Sequence, residues 1–512
     1  MRAARPGEEG SGGERIGTGA PGRERGRSPL RHLRADFTAS LVVFLVAVPL
    51  CVGVAVASGV PAELGLVTGI VGGLVTGLLP GSSLQVSGPA AGLTVLVYEA
   101  VREYGIGTLG VLVLAAGVLQ LAMGALRLGR WFRAISVAVV QGMLAGIGLV
   151  LIAGQLYSLV DAEAPAGGLA KIGGVPGLVV DTLGSGTALS ALAIGAGTVV
   201  VLVLWPRVPV ASQVLPAPLA AVALATVATA VWDPPVARVR VQGLLDVVRP
   251  PGGAEFARLA EIGVLGTVVA FALIASAESL FSAAAVDRMH DGPRTDYDKE
   301  MIAQGAGNTV CGVLGALPMT AVIVRSSANV RAGARTRASR VLHGVWLLVF
   351  AAMFPAALGV IPLASLAGVL VHAGWKLIPV RELPPLWREH RGEAVILGVT
   401  AIAIVVTNMF EGVLIGLLMA IAKSAWETSH VHLEVSDPTP EGTGPILVRV
   451  LGNATFLRLP RLLDELEALP RDRAIELDLT GLRHLDHACR TALTVWAERH
   501  NAEGVEPVRV AT

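Results

Sequence analysis

Two short stretches decide the fold: Gln85-Val86-Ser87-Gly88-Pro89-Ala90-Ala91-Gly92-Leu93-Thr94 and Gly315-Ala316-Leu317-Pro318-Met319-Thr320-Ala321-Val322-Ile323. Each is led by Gly and Pro and runs into an apolar segment too short to cross a bilayer comfortably, since a spanning helix needs about 20 residues. Pro at a helix start forfeits no intrahelical hydrogen bond. Each stretch therefore reads as a half-helix that begins inside the membrane.

Their surroundings fit that reading. Hydrophobic residues make up 53% and charged residues 15% of the 512, and mean hydropathy is +0.66, where a soluble domain carries about 25% charge. Apolar runs recur at about 37–57, 62–80, 89–102, 108–126, 134–158, 187–205, 216–232, 263–289, 299–316, 319–331, 340–358, 361–376, 393–410 and 412–425. Of these fourteen, the two short ones are each third in a set of seven. Matching interrupted segments in two halves point to an inverted repeat with a binding site at the midplane. Two unrelated Pro-kinked spans would leave the shared register unexplained. The fold class is an all-α polytopic membrane protein, seven plus seven, followed by a small α/β unit. The 61 glycines suit helices that pack closely without a solvent-driven force.

Loop charge sets the orientation. Loops after the fourth, sixth, tenth and twelfth runs are basic (Arg127, Arg130 and Arg133; Arg207; Arg331, Arg335, Arg337 and Arg340; Lys376, Arg381, Arg388 and Arg391), and those after runs one, nine and eleven carry no Lys or Arg. This pattern predicts both termini in the cytoplasm. Residues 1–33, rich in Gly and Arg, read as a disordered tail; 34–428 form the membrane domain and 431–512 the polar α/β unit. The net charge of +1 gives no reason to invoke nucleic acid. Cys51, Cys311 and Cys489 lie too far apart to suggest a disulfide framework or a metal site. HExxH, GxSxG and phosphate-cradling GK[ST] motifs are absent, so nothing supports an enzyme.

Two half-helices meeting at the midplane each present unpaired N–H groups and roughly half a positive charge. Aimed at one point they form an anion site without a basic side chain. The small residues Ala90, Ala91 and Ala321 let a ligand reach that backbone. Arg325 follows two turns into the second half-helix, inside an apolar run. Three roles are open to it: adding positive charge to the site, pairing with an acid, or snorkelling to the cytoplasmic face. The acid in question is Glu278, alone near the middle of the long run Gly263–Met289, with Ala275 one turn back and Ser282 one turn on. A carboxylate at that depth costs roughly 3 kcal/mol or more and calls for a partner or a wet cavity. Bound Na⁺ or H⁺ would neutralise it and couple cation to anion; a neutral Glu hydrogen-bonded between helices is the plainer alternative.

These residues belong to a longer pattern. Asp36-Phe37-Thr38-Ala39 with Val48-Pro49-Leu50, Gln85 to Pro89, Ala277-Glu278-Ser279-Leu280, Gln304-Gly305-Ala306-Gly307-Asn308, and Arg325-Ser326-Ser327-Ala328-Asn329 with Gly333-Ala334-Arg335-Thr336 stand in the order and spacing of one family. The chain resembles the SulP anion transporters, whose animal relatives include prestin and pendrin, over about residues 34 to 425. The resemblance implies a core domain moving against a gate domain, and a homodimer. It implies anion contacts at Ala90 and Ala91 and, through backbone, at Ala321, Val322 and Ile323, with Arg325 near the anion. It places Glu278 and Ser282 where bicarbonate-transporting members bind Na⁺ through an Asp and a Thr. The Glu here departs from that pattern and in other bacterial members accompanies proton coupling. Pro49-Leu50, where many sulfate-type members have Pro-Gln, leans toward bicarbonate.

In the tail, 446–450, 474–479 and 507–510 read as strands and 459–469 and 487–500 as helices. This alternation resembles a short STAS domain, in which Asp486-His487-Ala488 replaces the family's phosphorylatable Asp-Ser. The expected function is a secondary transporter of a small inorganic anion, bicarbonate foremost, coupled to Na⁺ or H⁺. The competing readings are a sulfate, chloride or dicarboxylate transporter or exchanger of the same fold, and a membrane-anchored signalling protein. No enzymatic cofactor is expected.

Overall fold

The computed structural model describes residues 29–134, 136–165, 167–208, 215–436, 445–471, 473–503 and 508–511. The first set of helices is α1 (Pro29–Ala57), α2 (Ala62–Val71), α3 (Thr94–Tyr104), α4 (Ile106–Ala125), α5 (Val137–Ser158), α6 (Gly186–Leu204) and α7 (Ala217–Trp232). The second is α8 (Ile262–Asp287), α9 (Tyr297–Val313), α10 (Ile323–Arg331), α11 (Ala338–Met353), α12 (Leu363–Leu377), α13 (Arg391–Val406) and α14 (Met409–Thr428). Five of the described helices are long and apolar enough, by length and composition, to cross a membrane: Leu33–Ala57, Ile106–Ala125, Val137–Ser158, Gly186–Arg207 and Ile262–Asp287. Helix α1 already begins at Pro29, so the last residues assigned to the tail are helical; the remainder of that tail lies outside the described residues.

The helices sort into two groups. Helices α1 to α4 pack mainly with α8 to α11, and α5 to α7 with α12 to α14. The tightest seam joins α4 to α9. Gly110, Gly117 and Gly124 recur every seventh residue on α4 and face Gly305 and Gly312 of α9; a Cβ on Gly117 would sit 2.4 Å from Thr309 N, and one on Gly312 2.3 Å from Leu114 N. The absence of side chains there brings two backbones together, the device membrane helices use where no hydrophobic force pulls them.

The two interrupted stretches pair with each other. Ser87–Pro89 (β1) and Met319–Ala321 (β2) form a two-stranded antiparallel sheet, with Ser87 opposite Ala321 and Pro89 opposite Met319. Ala90 and Val322 remain extended, so the first half-helix starts as a 3₁₀ turn at Ala91–Leu93 and the second at Ile323. Both start later than the positions of Pro89 and Pro318 suggest, because the leading residues are used in pairing. Arg325 consequently lies in the first turn of α10 rather than two turns in.

A strap links the groups on the side where α7 ends. Leu363 N donates to Ala237 O (2.9 Å) and Val239 N to Ile361 O (3.0 Å), while Ala237 N donates to Asp161 (2.8 Å). A few residues on, Gln242 N (2.6 Å) and Gly243 N (3.3 Å) donate to Glu63 Oε1 on α2.

Beyond α14, β3 (Val431–Ser436), β4 (Ile446–Ala454), β5 (Ile475–Asp478), β6 (Leu482–Leu485) and β7 (Val508–Ala511) form a sheet with α15 (Leu459–Glu467) and α16 (His487–Glu503). β3 joins antiparallel to β4, and β4 runs parallel to both β5 and β6, with β7 beside β5. β3 and β6 add to the strands read from the sequence. Asp486 locks the unit: its carboxylate accepts from Cys489 N at the start of α16 (2.7 Å) and from Phe456 N (2.6 Å). The Cys489 hydrogen bond, ahead of the Phe456 one, holds its pKa below the usual carboxylate range.

Gly312→Ala should destabilise the membrane domain by roughly 1–3 kcal/mol through overpacking, read as a lower melting temperature in detergent; an unchanged melting temperature would refute a seam closed by backbone contact. Asp486→Ala should cost the C-terminal unit about 1 kcal/mol, as loss of a cap does. Because the folded carboxyl is the more acidic, this difference should be full above the unfolded value of about 3.9 and should fade as pH drops through the lower folded value. Urea melts of the wild type and the variant across that range check it.

Candidate functional site

Helices α3 and α10 point their N-termini at one place from opposite sides, and no side chain caps either end. An irregular backbone at membrane depth is tolerated only where its polar groups are satisfied or line a cavity, and here side chains satisfy most of it. Ser279 Oγ accepts from Ala321 N (3.2 Å) while its carbonyl accepts from Gln85 Nε2 (2.7 Å). Asn308 holds Met319 at both ends, accepting from its N–H (2.7 Å) and donating to its carbonyl (3.1 Å). Asn308 also donates to Gln120 (2.7 Å), which donates to Ser276 (3.1 Å). Ser326 Oγ accepts from Val86 N (2.9 Å), and Val322 N donates to Val86 O (3.0 Å).

A cavity of about 80 Å³ lies at the crossing. A cavity needs roughly 10–15 Å³ of such space to hold one water, so a small ion fits. The first half-helix contributes Pro89, Ala91 and Gly92, the second Val322, Ile323 and Arg325, and α8 contributes Glu278, Phe281 and Ser282. Leu50 and Val54 of α1, Met143 of α5 and Ala373 of α12 complete an apolar wall, so both helix groups line it. Ala91, Val322, Ile323, Arg325, Glu278 and Ser282 are thus brought together. Ala90 and Ala321 do not line the cavity. They are buried at 1% and 0% exposure, Ala90 just ahead of the 3₁₀ turn and Ala321 in β2 opposite Ser87.

Two charges occupy this space without each other. Arg325 is 1% exposed, so it does not snorkel. It forms no ion pair among the described residues; Nη2 donates to Pro89 O (3.3 Å) while Nε and Nη1 have no partner. Glu278 Oε2 is likewise buried, beside the Thr320 hydroxyl and with no ion pair among the described residues. Leaving such groups unpaired costs several kcal/mol, a cost that a bound anion at the guanidinium and a cation or proton at the carboxylate would offset. The oxygen-only set around Glu278 suits a hard cation and not a transition metal; among the described residues no three His, Cys, Asp or Glu gather as a metal site. Glycine makes the geometry possible. A Cβ on Gly92 would stand 2.8 Å from Glu278 Oε2, and one on Gly88 2.1 Å from Arg325 Nη1.

The sulfate permease family profile matches residues 33–400. The chain belongs to the sulfate permease family. It is an anion transporter of that family, whose members are membrane transporters and not enzymes. It is 27% identical to YvdB of Bacillus subtilis (strain 168), provisionally named a sulfate transporter, over 80% of this chain and 77% of that protein. It is 28% identical to the bicarbonate transporter BicA of Picosynechococcus sp., over 79% of this chain and 72% of that one. Among solved structures, the transmembrane domain of a cyanobacterial BicA superposes with a TM-score of 0.65 at 22% identity, covering 76% of this chain and 98% of that one. SLC26A9 superposes with 0.76 at 14% identity, covering 94% and 85%. At those identities the superpositions speak to the fold.

In this sulfate permease family member, sequence reasoning missed the Asn308–Gln120–Ser276 chain, although a lone amide such as Gln120 inside an apolar helix is a signal of its own. It also missed His343 of α11, fully buried near Arg325 with neither ring nitrogen partnered. Gly88→Ala should displace the guanidinium and raise the half-saturating anion concentration about tenfold, equivalent to about 1.4 kcal/mol. Gly53→Ala, whose Cβ would meet Leu370 at an ordinary 3.5 Å, should leave it unchanged. Equal behaviour of the two variants in uptake assays would remove Arg325 from the site.

Proposed function

We propose that this protein carries bicarbonate across the membrane together with a cation, Na⁺ or H⁺, by alternating exposure of the cavity at the crossing. The observation that carries this reading is the convergence, on one small cavity, of two uncapped helix N-termini and an unpaired Arg325 with an unpaired Glu278. The anion sits between the N-termini of α3 and α10, against Ala91, Val322 and Ile323, with Arg325 supplying fixed charge; Ala90 and Ala321 shape the backbone behind them. The cation sits at Glu278 and Ser282.

Charge balance favours a monovalent anion. Arg325 and Glu278 cancel, so one cation and one monoanion leave the buried site neutral. A sulfate dianion with one cation leaves a net negative charge in a low-dielectric cavity, which is costly. Occupancy of Glu278 thus stabilises occupancy of the anion site, and the helices α1–α4 and α8–α11 move as one body past the others with both ligands aboard. In this arrangement both termini lie in the cytoplasm, residues 431–512 act as a STAS-like cytoplasmic unit, and two chains form a homodimer.

Uptake of labelled bicarbonate into proteoliposomes under a Na⁺ gradient, a pH gradient or neither tests the proposal. Stimulation by Na⁺ alone assigns the cation site to Na⁺; stimulation by pH alone, abolished in Glu278→Gln, assigns it to H⁺. Glu278→Gln should lose the cation dependence, lowering gradient-driven uptake by roughly 5–150-fold, the range of typical coupling energies. Normal, cation-dependent transport by that variant would end the role given to Glu278. Uptake of sulfate but not bicarbonate by the wild type would replace the substrate.

A further inference from the structure

A second, larger cavity of about 570 Å³ lies in the same cleft. Helices α1 and α5 and the first half-helix, the 3₁₀ turn Ala91–Leu93 running into α3, line both. They give Val54, Gly92 and Met143 to the small cavity, and Ala57, Tyr98 and Gly154 to the large one. Between the two stand Val54, Leu93 and Ile147, at most 3% exposed, in one apolar cluster. The large cavity therefore begins where α1 and α5 end, toward the loops that follow them, on the far side of an apolar wall from Glu278 and Arg325.

Its lining is unlike that of the small cavity. Lys171, in the short helix Gly168–Gly173, reaches into it at 5% exposure. The Lys171 backbone is fixed by Tyr157, whose hydroxyl donates to Lys171 O (2.9 Å). The ammonium lies 5.3 Å from the Tyr98 ring centroid, and the Arg102 guanidinium 5.8 Å from the same ring, both within cation–π range. Glu99 attracts Lys171 electrostatically, and Glu163 is the acidic residue on the cavity's rim. Yet Lys171 forms no ion pair among the described residues. Desolvating an ammonium without a paired carboxylate is costly, and an aromatic face offsets only part of that cost. The remaining valence faces the open cavity.

We propose that this cavity is a second binding site for a small inorganic anion, held by the Lys171 ammonium with Arg102 behind it, in which the transported anion waits before the apolar wall opens. The proposal rests on the anion-transport reading above and adds to it a staging site with its own residues. Lys171 and Arg102 draw the anion toward the cleft, as charge lining a low-dielectric recess does. The wall of Val54, Leu93 and Ile147 keeps that anion apart from the central site until α1 and α3 shift against α5.

A thiol probe tests the site without relying on transport. Ala162 lines the large cavity, and the native Cys51, Cys311 and Cys489 are buried, so Ala162→Cys offers one accessible thiol in the full chain in proteoliposomes. Its reaction with impermeant methanethiosulfonates is measured with the anionic ethylsulfonate and the cationic ethyltrimethylammonium reagents. The anionic reagent should be favoured, and Lys171→Gln should cut the rate ratio about fivefold, as loss of one nearby charge does. Lys171→Arg should preserve the ratio, and the exposed Arg102→Gln should lower it without touching a buried residue. Millimolar sodium bicarbonate or sodium sulfate, against sodium gluconate, should slow the anionic reagent with Lys171 intact or replaced by Arg, and not in the Lys171→Gln variant. Equal ratios with and without the Lys171→Gln substitution, lack of protection by both anions, or lack of modification from the medium would each overturn the staging site. Failure of the wild type to carry bicarbonate would be read separately, in uptake, and would count against the substrate alone.

Discussion

The structure depends on two half-helices being held tip to tip in the middle of a membrane. Their leading residues would leave backbone donors and acceptors stranded in a medium that cannot solvate them. The strand pair Ser87–Pro89 and Met319–Ala321 removes part of that cost by using each stretch to satisfy the other. Asn308, Ser279, Ser326 and Gln85 satisfy much of the remainder. Among the buried groups left without a full set of partners, two carry charge at the half-helix ends: the Arg325 guanidinium and the Glu278 carboxylate. The site is thus a place where the hydrogen-bond network stops short of two charged side chains.

Much of this was legible in the sequence, for identifiable reasons. Gly and Pro at 88–89 and 315–318 break the apolar runs, so the interrupted segments and their matching positions could be read directly. Glu278 could be read because an acid in an apolar run has few tolerable explanations. The onset of α10 could not, because strand pairing between residues more than 200 positions apart is a tertiary event with no local signature; this displaced Arg325 from two turns into the helix to its first turn, and left Ala90 and Ala321 behind the cavity rather than on it. The Lys171 cavity was hidden for a related reason. A single lysine in a Gly-rich loop looks solvated until the fold closes Tyr98 and Tyr157 around it.

The glycine seam between α4 and α9 serves the site at a distance. Asn308 is on α9 and Gln120 on α4, and they can hydrogen-bond at 2.7 Å only because the glycines around them let the helices touch. The backbone contact that stabilises the bundle therefore also positions the amide that clamps Met319, and stability and site geometry are set by the same few side-chain-free positions.

The strap between α7 and α8 has a mechanical consequence. Its last bond to the α12 side is made by Val239 and its first to α2 by Gln242. They are three positions apart in the chain, and a fully extended chain spans at most about 3.3–3.6 Å per residue. With both bonds intact, these attachment points can separate by only roughly 10 Å. The strap acts as a leash of fixed length: it permits rocking about that end of the molecule and sets an upper limit on the stroke, so a longer excursion requires Glu63 to let go.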